Sequence, residues 1–184
     1  NLHTLFIGNP GTGKNTVARI LANIYKALGL IEKGHLVEVD RQALVAGFVG
    51  QSAIKTSEQI DRAMDGVLFI DEAYALNTGH IDDFGAEVIQ TLLKRMEDDR
   101  GRFFVFAAGY TENMKTFLKS NPGLSSRFDR TFQFPDFQAH ELNDIALYFL
   151  KERGYYISSK AATALNEFIN DLHLKKDKFF GNAR

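Results

Sequence analysis

The sequence predicts an α/β fold: a three-layer arrangement with a parallel sheet between helices, followed by a small all-helical unit. Three observations carry this prediction. Short apolar runs alternate with stretches of helical periodicity between residues 5 and 134, the pattern of a parallel sheet covered by helices. A glycine-rich turn, Gly8-Asn9-Pro10-Gly11-Thr12-Gly13-Lys14, stands between the first predicted strand and the first predicted helix. After Pro135-Asp136 the strand signal stops and only helical spacing continues. The boundary is therefore drawn at Asp136, dividing the chain into 1–136 and 137–184.

Each element follows from its local pattern. Leu5-Phe6-Ile7 is short, apolar and closed by Gly8, as a buried strand should be. The helix from Gly13 has Val17, Ile20, Leu21, Ile24 and Leu28 at helical spacing, expected on its buried face, and Gly29 stops it. His35 to Asp40 reads as a strand and Arg41 to Ala46 as a short helix. A helix beginning near Ser52 ends before Gly66, and Val67-Leu68-Phe69-Ile70 is a buried strand ended by Asp71-Glu72. Val88, Ile89, Leu92, Leu93 and Met96 mark the apolar face of the next helix, whose charged end runs from Glu97 to Arg102 into solvent. Phe103 to Ala108 is a strand, Thr111 to Lys119 a polar helix, Asn121-Pro122-Gly123 a turn, and Thr131 to Phe134 the last strand. Leu142, Ile145, Ala146 and Phe149 mark one helix beyond the boundary; Leu165, Phe168, Ile169 and Leu172 mark another.

Composition limits the function classes. The 184 residues include 22 Lys plus Arg against 23 Asp plus Glu, a formal charge of −1. No basic excess exists to hold a nucleic-acid backbone or an anionic membrane, which disfavours a motor on nucleic acid. There is no cysteine, so disulfides, thiolate metal sites and thiol catalysis are excluded. No apolar run reaches the roughly 20 residues of a membrane span, and no signal peptide opens the chain, so a cytoplasmic location is expected. The sequence begins in a strand and stops without a terminating signal, so it reads as an excerpt of a longer protein.

Two stretches carry chemistry. Gly8, Gly11 and Gly13 permit a backbone path that turns successive N–H groups toward one anion. The following helix adds its positive N-terminal end, and Lys14 adds a cation near β and γ phosphates. Asn9, Pro10, Gly11, Thr12, Gly13, Lys14, Asn15 and Thr16 are the candidate nucleotide contacts. This phosphate-loop pattern next requires Ser or Thr for magnesium, where this chain has Asn15. An asparagine carbonyl is an alternative oxygen ligand, farther from the backbone than a hydroxyl; Thr16 is rotated by about 100° from that position. Asp71-Glu72 follow a strand, where ligands of open α/β sheets gather. Asp71 would hold the metal through water and Glu72 would orient or deprotonate the attacking water.

Other stretches read less functionally when taken alone. Gly47-Phe48-Val49-Gly50 is either a turn with a core phenylalanine, the weightier reading, or a mobile loop that presses on an extended peptide. Arg127 and Arg130 read as a structural surface pair. His3, His35, His80, His140 and His173 lack metal-ligand spacing.

Together these parts resemble the AAA+ ATPases over essentially the whole chain. The branch they resemble contains red-type Rubisco activase (CbbX), stage V sporulation protein K and the ATPase of type VII secretion. The matching stretches are Gly8 to Lys14, Lys33 to Arg41, Gly66 to Leu76, Asp83-Phe84-Gly85, Ala108-Gly109-Tyr110 and Asn121 to Phe128. The resemblance implies a phosphate-loop (Walker A) and Walker B ATPase, with Glu72 as catalytic base and ATP or ADP with Mg2+ bound between the α/β unit and a helical lid. Arg127 becomes an arginine finger acting on a neighbouring subunit's nucleotide, and Arg130 a second trans-acting arginine. Phe48, Val49 and Gly50 become a pore loop that grips a client polypeptide, reversing the stand-alone reading. Tyr110 stands at the sensor-1 position and Arg184 at the sensor-2 position. The family's N-terminal linker and most of its sensor-2 helix lie beyond these residues, so truncation at both ends is expected.

The expected activity is that of a homo-hexameric ring that hydrolyses ATP and remodels or threads a client protein, in a chaperone-like way. The alternative is a nucleotide-binding scaffold whose hydrolysis is impaired or absent because of Asn15.

Overall fold

A computed structural model describes residues 2–77, 84–177 and 180–183. The chain packs as two compact units, one of residues 1–7 and 14–133, the other of residues 8–13 and 134–184. In order along the chain the elements are β1 (Thr4–Gly8), α1 (Lys14–Ala27), β2 (Leu36–Val39), α2 (Arg41–Leu44), α3 (Gln51–Arg62), β3 (Val67–Ile70), a 3-10 turn (Ala73–Leu76), α4 (Gly85–Asp98), β4 (Phe104–Gly109), α5 (Thr111–Lys119), α6 (Pro122–Arg127), β5 (Arg130–Phe134), α7 (Ala139–Glu152) and α8 (Ser159–Leu174). Among these residues no helix is long and apolar enough to cross a membrane.

The sheet runs β2-β3-β4-β1-β5, and β2–β3, β3–β4 and β4–β1 pair in parallel. Ile70 lies opposite Ala107 and Ile7 opposite Gly109, so β1, β3 and β4 end along one edge. Side chains alternate between the two faces. Leu5, Ile7, Leu68, Ile70, Val105 and Ala107 join one core with Ile60 of α3, Val88 and Leu92 of α4, and Met114 and Phe117 of α5. The intervening residues Phe6, Phe69 and Phe106 meet on the opposite face, where Tyr25 of α1 packs edge-on against Phe104 and Phe106 at 5.3 and 5.8 Å. The expected three layers are present.

The structure overturns the expected face of α1. Ala18, Ala22 and Tyr25 are buried, while Ile20 is 53% and Leu28 67% exposed. Both stripes have helical spacing; the small residues face inward because they let the helix approach an aromatic sheet face, and Tyr25 fills the space at its far end. Residues 122–127 form a helix rather than a turn. The Asn121 side chain accepts from Gly123 N at 2.8 Å and Pro122 occupies the first turn, so the segment begins as a capped helix. Phe149, Phe168 and Leu172 are exposed; among the described residues of the second unit, Leu142 of α7 and Ile169 of α8 are the buried apolar ones. The helix starts there are satisfied locally. Glu141 accepts from Gln138 N at 2.7 Å, and Ser158 accepts from Ala161 N at 3.3 Å.

His3 is a structural residue of the first unit. It is buried among the rings of Phe103, Phe104 and Phe128, and its Nδ1 accepts from Val105 N at 2.9 Å. Burial pushes its pKa from 6.5 down to about 4, and the nearby positive charges of Arg127 and Arg100 act in the same direction. The neutral ring is the native form. Its contribution is complete above pH 6.5 and is lost as pH falls toward 4, because the unfolded chain takes up a proton that the fold refuses. At about 1.36 kcal/mol per unit, that loss is roughly 3 kcal/mol. Thermal melts between pH 4 and 7.5 should show His3→Asn, which keeps an acceptor but cannot titrate, losing less stability on acidification than the parent. Parallel curves would contradict this assignment.

Candidate nucleotide and magnesium site

The glycine loop, residues 8–13, belongs to the second unit. Gly8 cannot carry a side chain, since a Cβ there would lie 2.3 Å from the Phe134 carbonyl oxygen. Gly13, at φ +86°, takes the left-handed conformation that glycine adopts without strain. The loop is braced rather than loose. Thr12 Oγ1 donates to Asn9 O at 2.8 Å, and Asn9 Nδ2 donates to Asp136 Oδ1 at 2.8 Å. Asn182 Nδ2 donates to the same Asp136 oxygen at 2.9 Å and to Pro10 O at 3.2 Å, while its own Oδ1 accepts from Phe137 N at 2.9 Å. Asp136 and Asn182 were not singled out in the sequence. Asp136 was read only as a boundary, and nothing local marks an asparagine that acts across 172 residues.

In the first unit, Lys14 and Asn15 open α1. Lys14 is buried, Asn15 is half-buried and Thr16 is exposed. Asn15 Nδ2 donates to Glu38 Oε1 on β2, and Arg19, one helical turn beyond Asn15, holds Glu38 Oε2 at 2.5 Å. Glu38, Val39, Asp40, Ala43 and Asp71 line a cavity of about 310 Å³. Glu38 therefore connects Asn15 to the cavity that Asp71 also lines.

Asp71 Oδ1 accepts from Glu72 N at 3.0 Å. Glu72 itself sits at φ 49°, ψ 43°, a left-handed conformation uncommon outside glycine, and is exposed at the start of the 3-10 turn. Tyr74 stands beside it. Burial first, and then the charges of Glu72 and Tyr110, push the Tyr74 pKa up to about 12. Tyr74 and Tyr110 pack with ring centroids 6.0 Å apart, and the absence of a Cβ at Gly109 makes room for the Tyr74 ring. Tyr74 and Glu38 are the site neighbours that motif spacing alone did not reveal.

The donor set fits magnesium. Asn15 Oδ1 and the Asp71 carboxylate are hard oxygens, and Mg2+ is ordinarily held by one or two such groups together with phosphate and water oxygens. Among the described residues no group of three or more His, Cys, Asp or Glu could hold a metal ion by protein ligands alone.

The remaining expected residues lie elsewhere. Arg127 ends α6, with Nη2 3.4 Å from Glu97 Oε2 of α4, and Arg130 is exposed at the start of β5. Phe48 and Val49 are 71% and 87% exposed, so Phe48 is not the core residue of the stand-alone reading. Gly50, at φ 81°, precedes α3. Arg184, Asp83 and His80 lie outside the described residues.

Residues 4–136 match the family model for the ATPase family associated with various cellular activities (AAA), and residues 138–184 match that of the AAA lid domain. The chain belongs to the AAA family of ATPases. Among the relatives of this AAA chain, stage V sporulation protein K of Bacillus subtilis (strain 168) is 44% identical over 91% of the chain and 52% of that protein. Protein CbbX of Cereibacter sphaeroides is 45% identical over 100% of the chain and 59% of that protein. ESX-3 secretion system protein EccA3 of Mycobacterium leprae (strain TN) is 45% identical over 92% of the chain and 27% of that protein. These relatives fall in the expected branch, and the chain spans about half to three-fifths of the first two. The crystal structure of the FIGL-1 AAA domain in complex with ADP aligns at TM-score 0.63 and 16% identity, covering 94% of this chain and 59% of that one. At that identity it speaks for the fold alone. The non-hydrolysing scaffold gains no support from these matches.

Removing the Asp136 carboxylate should leave the Asn9 and Asn182 amides without their shared acceptor. Asp136→Ala is expected to lose about 1–3 kcal/mol of stability, read as a lower urea midpoint, and to weaken ADP binding. An unchanged midpoint with unchanged binding would show that this brace does not hold the loop.

Proposed function

We propose that this AAA domain binds and hydrolyses ATP in a homo-hexameric ring that remodels or threads a client protein through its central pore. The observation carrying the reading is the shared cavity of Asp71 and Glu38, with Asn15 hydrogen-bonded to Glu38 at the start of the helix that follows the glycine loop. In this reading residues 1–136 are the nucleotide-binding domain and 137–184 part of the lid, and the protein works in the cytoplasm.

Backbone N–H groups of Asn9, Gly11, Thr12 and Gly13 hold the phosphate chain, and Lys14 compensates charge at the β and γ phosphates. Thr16 lies in the same first helical turn. Asn15 and Asp71 would hold Mg2+, which when bound neutralises charge on the β and γ oxygens. Glu72 orients the attacking water and takes its proton, with Tyr74 beside it. Tyr110 is the candidate polar sensor at the end of β4, and Arg184 the candidate second sensor. Phosphoryl transfer needs little covalent help, so positioning and charge carry the catalysis.

Arg127 is the candidate arginine finger, working on the nucleotide of the adjacent subunit, with Arg130 beside it in the chain. Such an arginine contributes roughly 10³–10⁵ in rate, so an isolated subunit should be almost inactive. The exposure of Phe48 and Val49 supports their assignment with Gly50 to the loop that grips the client.

A mixing experiment tests the shared site. Arg127→Ala and Glu72→Gln chains should each be nearly inactive as ATPases. Combined, they should regain activity, because an Arg127→Ala subunit keeps Glu72 and can receive Arg127 from its Glu72→Gln neighbour. A mixture no more active than either parent would reject catalysis across the subunit boundary.

A further inference from the structure

We infer that Glu38 is a positioning residue that turns the Asn15 amide so its carbonyl oxygen is left for Mg2+; this rests on the proposed nucleotide reading. A primary amide has two ends of nearly equal size, one donating and one accepting. Which end faces a metal is decided by the partner of the other. An ionised carboxylate only accepts, so Glu38 selects the Nδ2 end of Asn15, and Oδ1 lies at the opposite end. Reversing the amide would set two oxygens against each other and forfeit a charge-assisted hydrogen bond.

Glu38 is itself fixed. Asn15 and Arg19 are four residues apart on α1 and therefore on one helix face, and they take one carboxylate oxygen each. Arg19 supplies the opposite charge at 2.5 Å, which keeps Glu38 oriented along the helix. Glu38 and Asp71 line the same cavity, so the carboxylate that holds the Asn15 amide borders the pocket of the other candidate metal ligand. A threonine at position 15 would need none of this. Its hydroxyl rotates freely and offers an oxygen in every rotamer, whereas an asparagine offers oxygen in only one of two orientations. The carboxylate and the amide thus form a coupled pair specific to an asparagine at this position.

The coupling is testable without turnover or ring assembly. A fluorescent ADP analogue is titrated into four chains, namely the parent, Glu38→Ala, Asn15→Thr and the double variant. Each is measured with Mg2+ and with EDTA, and the ratio of the two affinities is the readout. Glu38→Ala should reduce that ratio about tenfold beside Asn15, the size of one charge-assisted hydrogen bond, and by less than about twofold beside Asn15→Thr. Glu38→Gln, which accepts but can also donate, should give a smaller loss than Glu38→Ala. An equal loss in both backgrounds, or no loss in either, would overturn the inference while leaving nucleotide binding intact. No ADP binding by any of the four chains, even in EDTA, would overturn the nucleotide reading and this inference together.

Discussion

Parallel pairing of β1, β3 and β4 is the constraint on which the rest of the first unit depends. Parallel strands all finish at the same edge, and here Ile7, Ile70 and Gly109 end in that direction. The polar chemistry begins where each strand stops. β1 leads into the glycine loop, β3 into Asp71-Glu72, and β4 into Tyr110. Inside the sheet, every position of β3 and β4 is buried, which leaves no room for a charged group before the strand end. The apolar run and the acidic pair that follows it are thus two consequences of one layout.

Much of this was legible because the signals were local. Val67 to Ile70 form the strand as expected, and α5 spans Thr111–Lys119 as its polar pattern indicates. The glycines of the loop mark conformations or close approaches that other residues tolerate poorly, and a motif of that kind is readable without tertiary contacts. The acidic pair is similar, since it interrupts a run of wholly apolar residues. The family assignment follows from the same stretches.

What escaped sequence reading required knowledge of the partner. Helix α1 carries two apolar stripes of equal periodicity, and only the aromatic surface below it favours Ala18, Ala22 and Tyr25 over the bulkier Ile20 and Ile24. Asn121-Pro122-Gly123 contains both turn residues and a helix cap; the Asn121 side chain reaching Gly123 N resolves it as a helix start. Asn182 and Asp136 brace the glycine loop over separations of 172 and 127 residues, beyond any local pattern. Within β2, Glu38 is simply the exposed position of a half-buried strand. Its importance comes from Asn15 and Arg19, which approach it from another element. Tyr74 is hidden in a different way, since a tyrosine after an acidic pair signals nothing until its ring is placed against Tyr110.

The central claim is that Lys14, placed at the start of α1 after the glycine loop, makes this chain a nucleotide phosphate receptor. Isothermal calorimetry of Mg-ADP against the parent and Lys14→Ala chains tests it most directly. One ADP should bind per parent chain, and Lys14→Ala should weaken binding by at least about tenfold, an increment of about 1.4 kcal/mol, while the chain remains folded. Equal binding by the two chains, or no binding by the folded parent, would contradict the account.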